Sequence, residues 1–293
     1  MKNKKIIIKN GAIFISDAHE GATRKGFWEF LKALENKEIK TRQLILMGDI
    51  FDMLVGEVKA THDFAKPYIA LLEELASEIE VLYLEGNHDF NLSRFFEKVQ
   101  VFSLQNQPLL CAFEKSENSS HSAQNLNKSL NLKDSLNKNL NENPQILNEF
   151  CFASKNIKKV FLAHGDIFLP PLLAFALKAL RNKPLLVFLN FIDKMLNFKI
   201  SKQILKKQDS KNLFFKLSNL KEFATQRYKK YPENKALVIE GHFHQNFILD
   251  TKINNTEIKY INLATFAYER SFFVVEYADK IKFQEKKLRE KHV

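Results

Sequence analysis

Short, nearly uninterrupted apolar runs punctuate the chain at Ala12–Ser16, Leu44–Met47, Val81–Glu85, Val160–Ala163 and Ala236–Glu240, each bounded by glycine or polar turn residues. Runs of this length and composition predict buried strands. Two further runs, Tyr260–Leu263 and Phe272–Glu276, predict final strands closing the sheet. Helical periodicity appears elsewhere. Phe27, Trp28, Phe30 and Leu31 predict the core face of an early helix, and another is predicted from His62 towards Ile79, with Thr61 or Asp63 serving its N-terminal turn. Leu185, Phe188, Leu189, Ile192, Met195 and Leu196 recur at helical spacing, while Pro170, Pro171 and Pro184 open or interrupt helices. That segment therefore predicts a short helical cap rather than one long rod.

The remaining polar stretches add little chemistry. Residues 114–148 are rich in Asn, Ser and Lys, and Leu126, Leu130 and Leu136 offer too little apolar surface to offset ordering entropy. They predict an exposed, poorly ordered insertion, which makes His121 a poor ligand. The basic Lys280–His292 tail reads as solvated.

Each of the five strand-like runs leads into a polar motif. In order these are Asp17-Ala18-His19, Gly48-Asp49-Ile50-Phe51-Asp52, Gly86-Asn87-His88-Asp89, His164-Gly165-Asp166 and Gly241-His242-Phe243-His244. Taken singly each is weak, since a lone Asp-x-His reads as well as a turn with a capping aspartate and a surface histidine, though Gly86-Asn87-His88-Asp89 and His242-Phe243-His244 are stronger. The ordered set reads differently, because loops leaving one edge of a sheet can bring distant residues around one point. Alternation along an extended segment would put His242 and His244 on one side, as a two-ligand clamp. Carboxylate and amide oxygens mixed with imidazole nitrogens suit Mn²⁺, Fe²⁺ or Zn²⁺. Neither Cys111 nor Cys151 belongs to the set, and both are expected to be reduced.

The order and wording of these motifs resemble the calcineurin-like metallophosphoesterase superfamily. The resemblance implies an α+β fold, a four-layer αββα sandwich with metal ligands at strand ends. It implies one metal held by Asp17, His19, Asp49 and His244, and a second by Asp49, Asn87, His164 and His242, with Asp49 bridging. It further implies that hydroxide between two divalent ions, Mn²⁺ by preference, attacks phosphorus in line, while His88 serves the leaving group with support from Asp52. Asp89 and Asp166 are expected to be structural.

The context Phe14 to His19, Gly86 to Phe90, and His164 to Asp166 followed by a basic helical segment looks like the UDP-2,3-diacylglucosamine pyrophosphohydrolases of lipid A synthesis. Those enzymes release UMP and lipid X. They typically carry Arg, which contacts substrate phosphate, where this chain has His88. Arg94 and Arg181 are candidates to replace that contact. Between Asp166 and Asp209 stand eight basic residues, Lys178, Arg181, Lys183, Lys194, Lys199, Lys202, Lys206 and Lys207, against one acid, Asp193. Beside a phosphoesterase site this predicts a helical lid over 167–235, with Phe188 and Ile192 as candidate acyl contacts and its cations facing anionic headgroups.

Charge and hydropathy narrow the partners. A net charge of +11 favours an anionic one, whether lipid headgroup, nucleotide or nucleic acid. No uncharged apolar stretch is long enough to span a bilayer and no signal-peptide core follows Met1, so a single cytoplasmic domain, peripheral on the inner face of the inner membrane, is expected, with no protein partner inferred. The alternative is a metallophosphodiesterase or nuclease acting on nucleotides or nucleic acid. Tyr228-Lys229-Lys230-Tyr231 is a stacking candidate under that reading. A non-catalytic scaffold is the third class, disfavoured because it has no use for every ligand together with His88.

Overall fold

Two seven-stranded sheets face each other across an apolar layer, and alternation within each strand builds that arrangement. In the strand Ala12–Ile15, Ala12 and Phe14 enter the layer between the sheets while Ile13 and Ile15 face helices. The strands Gln43–Leu46 and Glu80–Leu84 divide the same way: Ile45, Leu82 and Leu84 point inward, Leu44, Leu46, Val81 and Tyr83 outward. Both faces are covered, which is why these strands read as continuous apolar runs. The computed structural model describes residues 6–114, 143–153, 157, 159–233, 235–253, 256–277 and 280–289. Most of the insertion predicted over 114–148, with His121, lies outside them.

The first sheet runs in the order 6–8, 109–113, 160–163, 237–240, 256–262, 247–253 and 145–146. The second runs 149–153, 280–287, 271–277, 12–15, 43–46, 80–84 and 100–102. The helices are α1 (Gly26–Glu35), α2 (His62–Leu75), α3 (Pro171–Leu180), α4 (Lys183–Met195), α5 (Lys199–Asp209), α6 (Leu220–Tyr228) and α7 (Phe266–Glu269). Helices α1 and α2 cover the outer face of the second sheet through Phe27, Phe30, Leu31, Leu71 and Leu72. Helix α6 covers the outer face of the first through Ala224 and Tyr228, against Phe161, Val238 and Tyr260. The result is the expected four-layer αββα sandwich.

Several details differ from the sequence reading. The basic tail is no solvated appendage: Lys280–Lys287 is a strand paired with both Ser271–Tyr277 and Glu149–Ala153, and it buries Ile281 and Phe283 between its lysines. The alternating pattern was present but masked by charge. Phe247–Ile253, another strand without a continuous apolar run, pairs along its whole length with Thr256–Asn262. Trp28 is only partly buried and rests edge-on against Tyr68. Helix α2 stops at Leu75, and neither candidate caps it: the Thr61 hydroxyl donates to Val58 O at 2.7 Å, and Asp63 pairs with Lys66.

Within 167–235, three short helices stand over the site while α6 belongs to the sandwich. Pro171 and Pro184 lie in the first turns of α3 and α4, where a missing N–H costs nothing. Asn182 caps α4 through Leu185 N at 3.0 Å. Asp193, the one acid between Asp166 and Asp209, is buried and accepts from Ile200 N at 2.9 Å and Ser201 N at 3.2 Å, capping the start of α5.

Candidate metal centre

The five predicted motifs meet at one edge of the sandwich. Asp17 and His19 follow the strand Ala12–Ile15, Asp49 and Asp52 follow Gln43–Leu46, and Asn87 and His88 follow Glu80–Leu84. From the facing sheet come His164, after Val160–Ala163, and His242 and His244, after Leu237–Glu240. Neighbouring loops brace one another through the backbone: Asp17 N donates to Gly48 O at 3.1 Å, His19 N to Asp49 O at 3.0 Å, and Asp52 N to Glu20 O at 3.0 Å.

Two triads result. The ligand atoms of Asp17, His19 and His244 lie within 4.8 Å of one another, as do those of Asp49, His164 and His242. Asp49 Oδ2 stands 3.3 Å from His164 Nε2. Among the described residues, buried side-chain atoms without a hydrogen-bond partner include Asp17 Oδ1, both ring nitrogens of His19, and Asn87 Oδ1. Lone-pair donors left unsatisfied in a dry site are costly unless a cation takes them. The donor set therefore fits two divalent cations, with nitrogen and oxygen ligands in the proportions that suit Mn²⁺, Fe²⁺ or Zn²⁺.

Backbone carbonyls aim the imidazoles. The Nδ1 atoms of His164, His244 and His88 lie 2.8, 2.9 and 2.8 Å from Met47 O, Leu213 O and Asp52 O. With Nδ1–H given to the carbonyl, each Nε2 is left for the site. Electrostatics keeps the carboxylates ready. Burial alone would raise Asp17 and Asp49, but His244 holds Asp17 down at about 2, and His164 and His88 hold Asp49 well below the usual range. Burial lowers His242 to about 4, leaving it neutral with a lone pair to offer, its Nδ1 3.2 Å from His164 Nε2.

The Asp52 carboxylate does not support His88 as the resemblance implies; the backbone carbonyl of the same residue does. The carboxylate turns to Arg24, whose Nη2 lies 2.7 and 2.5 Å from its two oxygens, and to His19 Nδ1 at 3.6 Å. Asp89 accepts from Asp49 N, Ile50 N, Gly86 N and Tyr83 Oη at 3.0, 2.7, 2.9 and 2.6 Å, which fixes the Asp49 loop. Asp166 pairs with Arg181 at 3.1 Å. Arg94 is exposed and donates to Gly56 O at 2.8 Å. Phe188 lies on the outer surface of α4, and Ile192 lines a cavity beneath it.

Several supporting residues gave no usable signal in the sequence. Thr265 Oγ1 donates to Asp17 O at 2.8 Å, Asn262 Nδ2 to Gly241 O at 2.7 Å, and Gln107 Oε1 accepts from His164 N at 2.7 Å. They lie far along the chain from the groups they hold, and only the topology brings them together.

Gly86 is required by close approach. A Cβ there would collide with the Asp49 carboxylate and stand 2.7 Å from Asp49 N. Gly86→Ala is therefore expected to displace Asp49 and lower the metal content of the dialysed protein by at least one ion per chain, measured by mass spectrometry, with far-UV circular dichroism unchanged. Full metal content would show that the loop yields without moving Asp49.

A family model described as calcineurin-like phosphoesterase matches residues 12–246. The UDP-2,3-diacylglucosamine hydrolase of Ralstonia nicotianae is 33% identical over 94 residues, covering 30% of this chain and 34% of that protein. That of Shewanella pealeana is 29% identical over 91 residues, 29% of this chain and 36% of its own. The matched stretch thus spans about a third of these curated relatives. Among solved structures, Yfce, a phosphoesterase from E. coli, aligns over 90% of this chain and 87% of its own at 12% identity and a TM-score of 0.36.

Proposed function

The chain belongs to the calcineurin-like phosphoesterase family, metal-dependent hydrolases of phosphoric esters, and we propose that it cleaves the pyrophosphate of UDP-2,3-diacylglucosamine to UMP and lipid X. The observation that carries this substrate is an apolar cavity of about 360 Å³ beside Asn87. Met53, Val55 and Phe90 form its floor, and Leu177, Leu186, Ile192 and Ile204 of the lid helices line its walls. The volume lies in the usual range for ligand pockets. A phosphoester bound at the strand ends would have its apolar portion adjacent to this space. The matched relatives are named for hydrolysis of such an amphiphile.

When bound, the two cations supply a nucleophile derived from water and neutralise charge on the phosphoryl oxygens. The protein's own groups do the rest. Asp17, His19, Asp49 and His244 would hold one ion, with Asp49, Asn87, His164 and His242 holding the other and Asp49 shared. His88, its Nδ1 engaged by Asp52 O and its Nε2 4.0 Å from Asp49 Oδ2, faces the reacting centre and donates to the departing oxygen. The outer surface of the lid supports contact with an anionic membrane: Leu172, Phe175, Val187, Phe191 and Met195 are all more than half exposed, with Lys178, Lys183, Lys194 and Lys199 exposed among them. No helix among the described residues is long and apolar enough to cross a membrane.

Incubation with Mn²⁺ and UDP-2,3-diacylglucosamine, in parallel with a generic phosphodiester, tests the reading. Metal-dependent release of UMP with lipid X is expected. Ile192→Ala, which truncates the cavity wall, should lower kcat/KM for the acylated substrate about tenfold while leaving the generic diester within about twofold. Hydrolysis of the generic diester alone would move the substrate to nucleotides or nucleic acid. Equal losses on both substrates would remove the acyl cavity from the reading.

A further inference from the structure

We propose that Arg181 contacts a phosphoryl oxygen of the substrate, so that the lid itself delivers an anion-binding group to the metal centre. This rests on the phosphoesterase reading of the site but not on the lipid substrate.

Arg181 closes α3, its N–H donating to Leu177 O at 3.1 Å. Its side chain is only 6% exposed. Nη2 donates to Gly86 O at 2.9 Å and to Asp166 Oδ2 at 3.1 Å, which seats the guanidinium against the loop that carries Asn87 and His88. Nη1 has no partner, and Arg181 lines the same cavity as Asn87. The Phe90 ring lies 5.4 Å from the guanidinium carbon. Asp166 is the acid in direct contact; Glu85 also senses the charge of Arg181 and of Lys183.

A buried cation whose charge is balanced by one carboxylate but whose second fork nitrogen makes no bond is built to donate to an oxygen from outside the protein. The site lies between the metal ligands and the apolar cavity. An oxyanion there would share its ester's charge between the metals and a planar fork suited to phosphate. The other nearby arginines are differently employed: Arg227, also buried, is engaged by Glu240 and Gly165 O. Arg24 donates to His19 O at 2.8 Å, to Asp209 O at 3.0 Å and to both oxygens of Asp52. Arg94 is exposed and does not line the cavity. Among the described residues, Arg181 is thus the arginine that combines burial, an unmade donor and a place at the site. Because it belongs to α3, substrate held by its Nη1 would also fasten the lid to the Gly86 loop.

Arg181→Met and Arg181→Lys in the full-length, Mn²⁺-loaded protein test this, with bis(p-nitrophenyl) phosphate as substrate and orthophosphate as competitive inhibitor. Arg181→Met should keep the wild-type metal content. Its inhibition constant for orthophosphate should rise, and its kcat/KM fall, by about tenfold to a hundredfold, the worth of one charged hydrogen bond. Arg181→Lys keeps the charge without the fork and should recover part of both. Inhibition constants within about twofold of wild type in both variants, with metal retained, would overturn the proposal and leave Arg181 as a tie between lid and loop. Should the Met variant fail to fold or lose metal, the Lys variant decides by the same constant. UMP release by the wild-type protein is a separate readout, so failure of the lipid reading leaves this result intact.

Discussion

Asp49→Asn should reduce phosphodiester hydrolysis by at least about a thousandfold and leave the fold standing. The substitution preserves volume and the acceptor that Asp49 Oδ1 offers to His88 N at 2.8 Å. It removes the anionic charge that Asp49, in the proposed shared role, would place between the two ions. Two divalent ions about 4 Å apart repel by about 4 kcal/mol even at the dielectric constant of water, and by more in a site this dry. Four kcal/mol is about a thousandfold in occupancy of the second ion. The folded chain also loses the attraction of His164 and His88 for this carboxylate, so a modest fall in thermal stability accompanies the change. Metal content after dialysis and turnover of a generic diester are the measurements, with circular dichroism and thermal unfolding as controls. Full activity in Asp49→Asn would overturn the dinuclear centre. A variant that retained both ions but no activity would place the role of Asp49 in positioning His88.

How far this site could be read from the sequence depends on what each feature leaves in one dimension. Strand ends are legible, because a buried strand is an apolar run and a ligand is a polar residue just past it. The conformation of the ligands is not. Asp17, His19, Asp49, His242 and His244 all have left-handed backbones, with φ between 42° and 63°. For residues with a Cβ this costs on the order of 1 kcal/mol or more each. The strain persists because other parts of the chain hold it. Thr265 Oγ1 and Ala267 N both bond Asp17 O, the carboxylate of Asp17 takes His242 N at 2.9 Å, and Asn262 spans Gly241 O and Gln245 N. Asn262 and Thr265 look like ordinary strand-end residues until the strands are paired. Asp52 shows the opposite difficulty: the motif identifies it correctly as a residue near His88, but which of its oxygens does the work depends on Arg24, at the far side of a loop no motif marks. The helical character of the segment over the site is legible, since prolines and helical spacing give a short helical cap rather than one long rod; its division into three helices is seen only in the structure. That its apolar residues divide between an inner cavity and an outer surface is not legible either, because periodicity gives a face without saying what lies against it.

The largest effect on stability should come from Arg227, to which the sequence assigned no role. Its partner Glu240 is fully buried at the end of the strand that leads into Gly241-His242. Glu240 accepts from Arg227 Nε at 3.0 Å and also from Arg227 Nη2, Tyr231 Oη and Tyr260 Oη. Arg227 Nη2 donates as well to Gly165 O at 2.7 Å, beside His164, and its guanidinium lies between the rings of Phe168 and Phe243. Burial works against its charge, and Glu240 more than restores it. Arg227→Met should therefore destabilise the protein by about 3–5 kcal/mol, because a carboxylate with no exposure is left without its cation. Urea unfolding measures this. The double variant Arg227→Met/Glu240→Leu removes both charges and should recover a substantial part of the loss, since most of the penalty belongs to the orphaned charge rather than to the lost bond. Activity should not return with stability. Gly165 O still lacks its donor, and the aromatic slot that sets Phe243 between His242 and His244 no longer holds a guanidinium. A single variant costing less than about 1 kcal/mol would mean that water reaches Glu240, and the double variant would then be the less stable of the two.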